Sequence, residues 1–204
     1  MIPTTDTATL LPPTSLPDHV RIDSDSAVLA TIDQPQVTLA VWERPSPLLA
    51  PDLADFPTVR FAAATPLVAA GVREALGALP AQPWHETLAP DVARLAMLYA
   101  TWTGDDRVEV RMERVTGNGC WKFHADYVGL RLITTYCGHG TQWLPQGATD
   151  DAEPRALSAG DVGLFKGRER AGERAIIHRS PPIAGTGEDR LLLVIDAPWP
   201  EEEA

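Results

Sequence analysis

Arg107-Val108-Glu109-Val110-Arg111-Met112-Glu113 is the stretch on which the fold turns. Val108, Val110 and Met112 alternate with charged residues, the two-residue period of a β-strand with one buried and one solvated face. Thr116-Gly117-Asn118-Gly119 is a turn that ends it. The same grain continues downstream in short runs at 120–124, 129–136, 141–144, 155–157, 162–166, 175–179 and 190–196, separated by Gly, Asp and Pro turns. Counted with the first, these make eight strands with no helix-length segment between them. That pattern predicts a jelly-roll barrel rather than a parallel α/β sheet, which needs helices between its strands.

Upstream the periodicity differs. Residues 37–42 read as a strand ended by Pro45-Ser46-Pro47. Two helical patterns follow, at 67–79 and 91–102, the second with Val92, Leu95, Leu98, Tyr99 and Trp102 at three- and four-residue steps. Asp91 follows Pro90 and is expected in the first helical turn, where its charge suits the helix dipole. The predicted class is therefore mainly β with flanking helices (α+β), a barrel preceded by two supporting helices. The chain divides into a flexible Pro-rich arm (1–19), a strand and helical region packing on the barrel (20–106), a jelly-roll metal-binding core (107–198) and an acidic tail (199–204).

The 204 residues suffice for one core. Seventeen Lys and Arg against 28 Asp and Glu give a net charge of -11, which argues against a duplex nucleic-acid or anionic-membrane partner. Two cysteines are too few for a disulfide scaffold, and Met1-Ile2-Pro3-Thr4-Thr5-Asp6 lacks the basic start and apolar run of a signal peptide. The longest weakly polar stretch, 61–72, is interrupted by Thr65, Pro66 and Gly71 and falls short of the roughly 20 apolar residues of a membrane helix. A cytoplasmic location with no membrane span is the expectation; oligomeric state is not legible.

The chemistry starts from His124 and Asp126. At i and i+2 in extended backbone both side chains project from one face and can share an ion. Alone, His-x-Asp also describes a simple hydrogen-bonded pair. His178 lies 52 positions later in the apolar run Ala175-Ile176-Ile177-His178, where a hydrogen-bonded core histidine is the plain alternative. Two histidines and a carboxylate form the facial triad that holds non-haem Fe(II), and zinc hydrolases use the same donors. Arg190, 12 residues after His178, opens the apolar strand Arg190-Leu191-Leu192-Leu193-Val194-Ile195-Asp196. A guanidinium there costs desolvation unless an anion meets it, and a dicarboxylate co-substrate would accept its donors in a bidentate fork.

His-x-Asp, a distal His and an Arg about a dozen residues on resemble the pattern of the Fe(II)/2-oxoglutarate-dependent oxygenases, as does the turn and strand Gly160-Asp161-Val162-Gly163-Leu164-Phe165. That resemblance, over residues 107–197, implies a double-stranded β-helix (cupin-like) with His124, Asp126 and His178 as iron ligands and catalytic centre. It implies Arg190 as the residue for the distal carboxylate of 2-oxoglutarate, with dioxygen and a small-molecule or peptide substrate as partners. A closer resemblance is to the uncharacterised bacterial domain-of-unknown-function family 1826. It rests on Cys120-Trp121-Lys122-Phe123-His124-Ala125-Asp126, Arg131-Leu132-Ile133-Thr134-Thr135-Tyr136, Gly140-Thr141-Gln142-Trp143, Phe165-Lys166-Gly167 and His178-Arg179-Ser180-Pro181. Gly138-His139-Gly140-Thr141 departs from the Gly-Pro-Gly-Thr usual in that family and puts His139 near the mouth.

Arg131 and Tyr136 are further candidates for holding a carboxylate, but they fall on different faces of one strand, so one at most points into the barrel. Arg179, next to His178, is expected to point outward and form a salt bridge. Cys120 is expected to be a buried structural thiol, since four strand residues place it about 13 Å from His124, too far to share one ion. Trp121 and Trp143 are equally pocket wall or core. Two other functions fit the sequence: a metal-responsive cupin-like protein without turnover, which has no need of Arg190, and a metal-dependent enzyme without 2-oxoglutarate, in which Arg190 reads the substrate's own carboxylate.

Overall fold

The computed structural model describes residues 16–149 and 151–198. Before the barrel come β1 (Val20–Asp23), β2 (Leu39–Trp42), β3 (Val59–Ala64), α1 (Val68–Leu76) and α2 (His85–Thr103). The barrel follows as β4 (Arg107–Val115), β5 (Leu130–Cys137), β6 (Gln142–Leu144), β7 (Arg155–Ala156), β8 (Val162–Lys166), β9 (Ile177–Arg179) and β10 (Arg190–Asp196), with a short α3 (Arg168–Ala171) after β8.

The strands form a seven-stranded sheet in the order β1-β2-β8-β5-β10-β4-β3 and a three-stranded sheet in the order β7-β6-β9. From β4 onward the chain crosses repeatedly between them: β4 in the large sheet, His124 bridged to β9 of the small one, β5 back in the large, β6 and β7 in the small, β8 large, β9 small, β10 large. Barrel neighbours are all antiparallel. This winding is a jelly roll, the double-stranded β-helix.

The two faces of the large sheet go to different cores. Leu191, Leu193 and Ile195 of β10 join Leu132 and Leu164 and pack on Leu88, Leu95 and Tyr99 of α2. Leu192 and Val194 face the other way, toward Ile133, Phe165 and Trp143 between the sheets. On β4 this reverses what the alternation suggests for a barrel. Its apolar Val108, Val110 and Met112 serve the helix-side core, while Arg111 and Glu113 line the space between the sheets.

Several expectations change. The strand expected at 120–124 shrinks to one bridge, His124 with His178. The strand expected at 37–42 starts at Leu39, and two more, β1 and β3, extend the large sheet. α2 begins at His85, so Pro90 lies inside it and Asp91 is no first-turn residue. A helix-interior proline costs about 3 kcal/mol, whereas burying a large apolar side chain returns roughly 1.5–3 kcal/mol. Leu88 before Pro90, and Val92, Leu95 and Tyr99 after it, are all buried on one stripe, and together they outweigh the cost of the proline. Residues 1–15 of the arm and the tail at 199–204 lie outside the described residues. The arm's last residue, His19, is buried, with Nδ1 2.8 Å from Thr38 Oγ1 and Nε2 accepting from Gln146 N–H at 3.0 Å.

One glycine supports the segment that carries Asp126 directly. A Cβ on Gly167 would stand 2.2 Å from Val128 O and 2.9 Å from Asp126 O. Gly167→Ala is therefore expected to destabilise the fold by about 1–3 kcal/mol, the usual cost of overpacking, and to weaken metal binding as Asp126 shifts. Urea unfolding and a metal titration on the same variant check both parts.

Candidate metal centre

His124 and His178 sit opposite one another and exchange both backbone hydrogen bonds, His124 N–H to His178 O at 3.0 Å and His178 N–H to His124 O at 2.9 Å. Directly paired residues on antiparallel chains share a face, so the two rings stand side by side with centroids 4.8 Å apart. Asp126 brings its carboxylate to the same place: Oδ1 lies 3.5 Å from His124 Nε2, and Oδ2 lies 3.2 Å from His178 Nε2. One donor atom from each of the three residues lies within 4.8 Å of the others. His178 is buried and packs against Phe165, while His124 is more open, which leaves the cluster approachable from one side.

The donor set fits a divalent ion. Nδ1 of His124 lies 2.9 Å from Lys122 O and Nδ1 of His178 3.4 Å from Ile176 O, so each ring can give its Nδ1 proton to backbone and present Nε2 to the carboxylate. Three acceptors converging on one point repel unless a proton or a cation sits among them. Asp126 Oδ2 is buried against Arg131 Nη1 at 2.7 Å and His178 Nε2 at 3.2 Å, so Oδ1, 3.5 Å from His124 Nε2, is the more open oxygen for an ion. Hydrogen bonding to Asp126 lifts the His124 pKa against the opposing effect of burial. Burial works against ionisation of Asp126 too, yet the hydrogen bonds from His124 and His178 and the nearby positive charges hold its carboxyl well below the usual carboxylate range. Two imidazoles and one carboxylate suit Fe(II) or Zn(II).

A cavity of roughly 120 Å³ opens beside the cluster, lined by His124, His178, Arg131, Ile133, Leu192 and Ser180 among others. Arg190 lies behind Ser180. It is fully buried on β10, where the strand's register shifts at the next residues, and no carboxylate among the described residues contacts it. Its Nε donates to His139 O at 2.6 Å, and its Nη1 and Nη2 make longer contacts, 3.3 Å each, to Ser180 Oγ and Thr135 Oγ1. Burial lowers its pKa against the opposing attraction of Glu188, which forms no ion pair with it. Expected at a strand's mouth, it sits deeper.

The other two carboxylate-holding candidates separate as parity requires. Arg131 points into the barrel but is already engaged by acids, Asp126 at 2.7 Å and Asp196 at 2.7 Å. Tyr136 points the opposite way, into the helix-side core, where its hydroxyl donates to Asp91 Oδ2 at 2.8 Å beside the Arg44–Asp91 pair. It is corrected from a candidate co-substrate residue to a tie between β5 and α2. Tyr136→Phe is expected to cost about 1 kcal/mol of stability in urea and to leave any 2-oxoglutarate titration unchanged.

The remaining residues also resolve. Arg179 points outward as expected but stacks on Phe123 at 4.2 Å and donates to Gln142, with no salt bridge among the described residues. Cys120 is exposed, because its segment is loop and not strand. Trp143 is core, and Trp121 is about half exposed. His139 is exposed and paired with Glu188. Asp196, Thr135 and Ser180 went unread. The signal for Asp196 was its position on Arg190's strand, six residues on, with the parity of Leu192 and Val194.

Fold and site together define the class: a double-stranded β-helix carrying a His-x-Asp and distal-His cluster between its sheets. Residues 23–196 match the family described as Protein of unknown function (DUF1826), and the chain belongs to that family. No curated protein matches it. Among solved structures it is similar to the dioxygenase for auxin oxidation (DAO) of rice, at 19% identity and TM-score 0.46, covering 76% of this chain and 60% of that one. It is similar also to dioxygenase for auxin oxidation 1 of Arabidopsis thaliana, solved with 2-oxoglutarate, at 13% identity and TM-score 0.43, covering 76% of this chain and 67% of that one. A third is C-terminally truncated Neurospora crassa T7H in its apo form, at 11% identity and TM-score 0.38, covering 58% of this chain and 55% of that one. The chain thus spans about three fifths of the length of the rice enzyme.

Proposed function

We propose that this chain is an Fe(II)/2-oxoglutarate-dependent oxygenase that oxidises a small molecule, an amino acid or a peptide side chain. The observation that carries the reading is the pairing of the three-donor cluster with Arg190, a buried cation that no acid contacts among the described residues. A protein that only stores or senses a metal has no use for such a cation, which costs desolvation and lowers stability unless an anion arrives. In this reading His124, Asp126 and His178 hold Fe(II), and Arg190, with Ser180 and Thr135, receives the far carboxylate of 2-oxoglutarate. A bound Fe(II), with its co-substrate and dioxygen, would supply the oxidising chemistry. The chain supplies the rest: Ile133, Leu192 and Val194 keep the cavity wall apolar, and the shared backbone pair of His124 and His178 fixes the rings.

The test is anaerobic. Fe(II) is added to the full chain, then 2-oxoglutarate, and the visible charge-transfer band of the chelate is sought; air is then admitted and succinate measured. A band followed by succinate supports the oxygenase. Metal uptake with neither band nor succinate sinks it and leaves a metal-binding protein or a metal enzyme without 2-oxoglutarate.

A further inference from the structure

Arg131 has the placement of a co-substrate residue and the contacts of something else. Leu132 pairs with Ile195 across β5 and β10, so Arg131 and Asp196 are the next residues along neighbouring strands. Arg131 Nε and Nη2 grip the buried Asp196 carboxylate at 2.7 and 2.8 Å, the planar fork that fixes a guanidinium in space. The remaining Nη1 lies 2.7 Å from Asp126 Oδ2. One positive charge is thus shared by two carboxylates, which leaves the trio net negative and disposed to repel a third.

We infer that Arg131 is a positioning residue for the metal centre: anchored by Asp196, it occupies one oxygen of Asp126, so that an ion is offered the other and the carboxylate binds through one atom. The inference rests on the metal reading of the site. Asp126 Oδ1 lies 3.5 Å from His124 Nε2, whereas Oδ2 is the more engaged oxygen, 2.7 Å from the guanidinium and 3.2 Å from His178 Nε2. With Arg131 gone, both oxygens are free to close on the ion, and one coordination position that 2-oxoglutarate needs is lost. The site's negative charge also rises. The consequence runs opposite to ordinary damage: metal binding holds or tightens while co-substrate binding fails.

The experiment compares the full-length chain with Arg131→Gln, using Co(II) as a spectroscopic probe and 2-oxoglutarate as titrant. For Arg131→Gln, Co(II) should bind at least as tightly as in the unaltered chain. Its d–d bands should change in position and intensity, and 2-oxoglutarate affinity should fall about tenfold or more, as for other groups that orient a ligand. Unchanged bands with unchanged 2-oxoglutarate affinity overturn the inference, as does a folded variant that loses Co(II). Because Arg131→Gln strands Asp196 without a partner, the double variant Arg131→Met/Asp196→Leu, which replaces the buried pair by apolar groups, is measured beside it under the same criteria. Failure of the unaltered chain to bind Co(II) would instead strike at the metal reading itself.

Discussion

Arg190→Met is expected to weaken 2-oxoglutarate binding by roughly 100-fold or more while leaving Fe(II) affinity close to that of the unaltered chain. The magnitude follows from two charge-assisted hydrogen bonds lost at once in a dry site, each worth about 1.5–3 kcal/mol. The selectivity follows from position. Arg190 touches His139 O, Ser180 and Thr135 and none of the three candidate ligands. Titration of the chelate band under argon reads the first quantity, and competition with a chromophoric chelator reads the second. Arg190→Lys keeps the charge but loses the fork and should fall between the two. Equal loss of metal and co-substrate would mean that Arg190 supports the barrel and reads nothing. Its links to β5, to the turn after it and to the segment after β9 make that the relevant alternative, so urea unfolding of both variants belongs beside the titrations.

His178→Ala is expected to abolish tight metal binding, a loss of about 100-fold or more, since removing a ligand outright should exceed the roughly 10–100-fold cost of disturbing the groups that orient one. His178 is the buried member of the cluster and the one whose ring packs on Phe165, so its removal also leaves a void worth about 1–3 kcal/mol of stability. His124→Ala should lose metal to a similar degree with a smaller stability cost, because its side chain is 37% exposed. Metal content after dialysis and unfolding curves for the two variants separate the ligand role from the packing role. Retention of Co(II) by both would show that the cluster is a hydrogen-bonded histidine pair on a carboxylate and no metal site.

Much of this protein was legible because its signals are local. The alternation of Val108, Val110 and Met112 with charges fixes a strand wherever that strand goes, since side chains leave a strand on opposite sides by geometry. His124 and Asp126 share a face for the same reason, and Arg131 and Tyr136 were bound to diverge. The boundaries of β8 and β10 followed from apolar runs bounded by turns. Less legible were β1 and β3, short or Ala-rich strands whose identity comes from the sheet edge that they join. The start of α2 before Pro90 was hidden too, because the apolar stripe that sustains it is a property of the core.

The sequence by itself determined a winding β domain, three candidate donors and a cation on the last strand, for all of these rest on residue type and spacing along one chain. The tertiary structure alone decided which face of each strand is inside. It turned the charged side of β4 toward the cavity and the apolar side toward the helices, sent Tyr136 to Asp91, and buried Arg190 away from any acid in contact with it among the described residues. It also set Asp196 across from Arg131, so that of two arginines equivalent in sequence one became a cation held by carboxylates and the other a buried cation with no ion pair among the described residues, attracted only at longer range by Glu188. The physical reason is that charge pairing and burial are sums over neighbours brought from distant strands, and a spacing rule along the chain contains none of them.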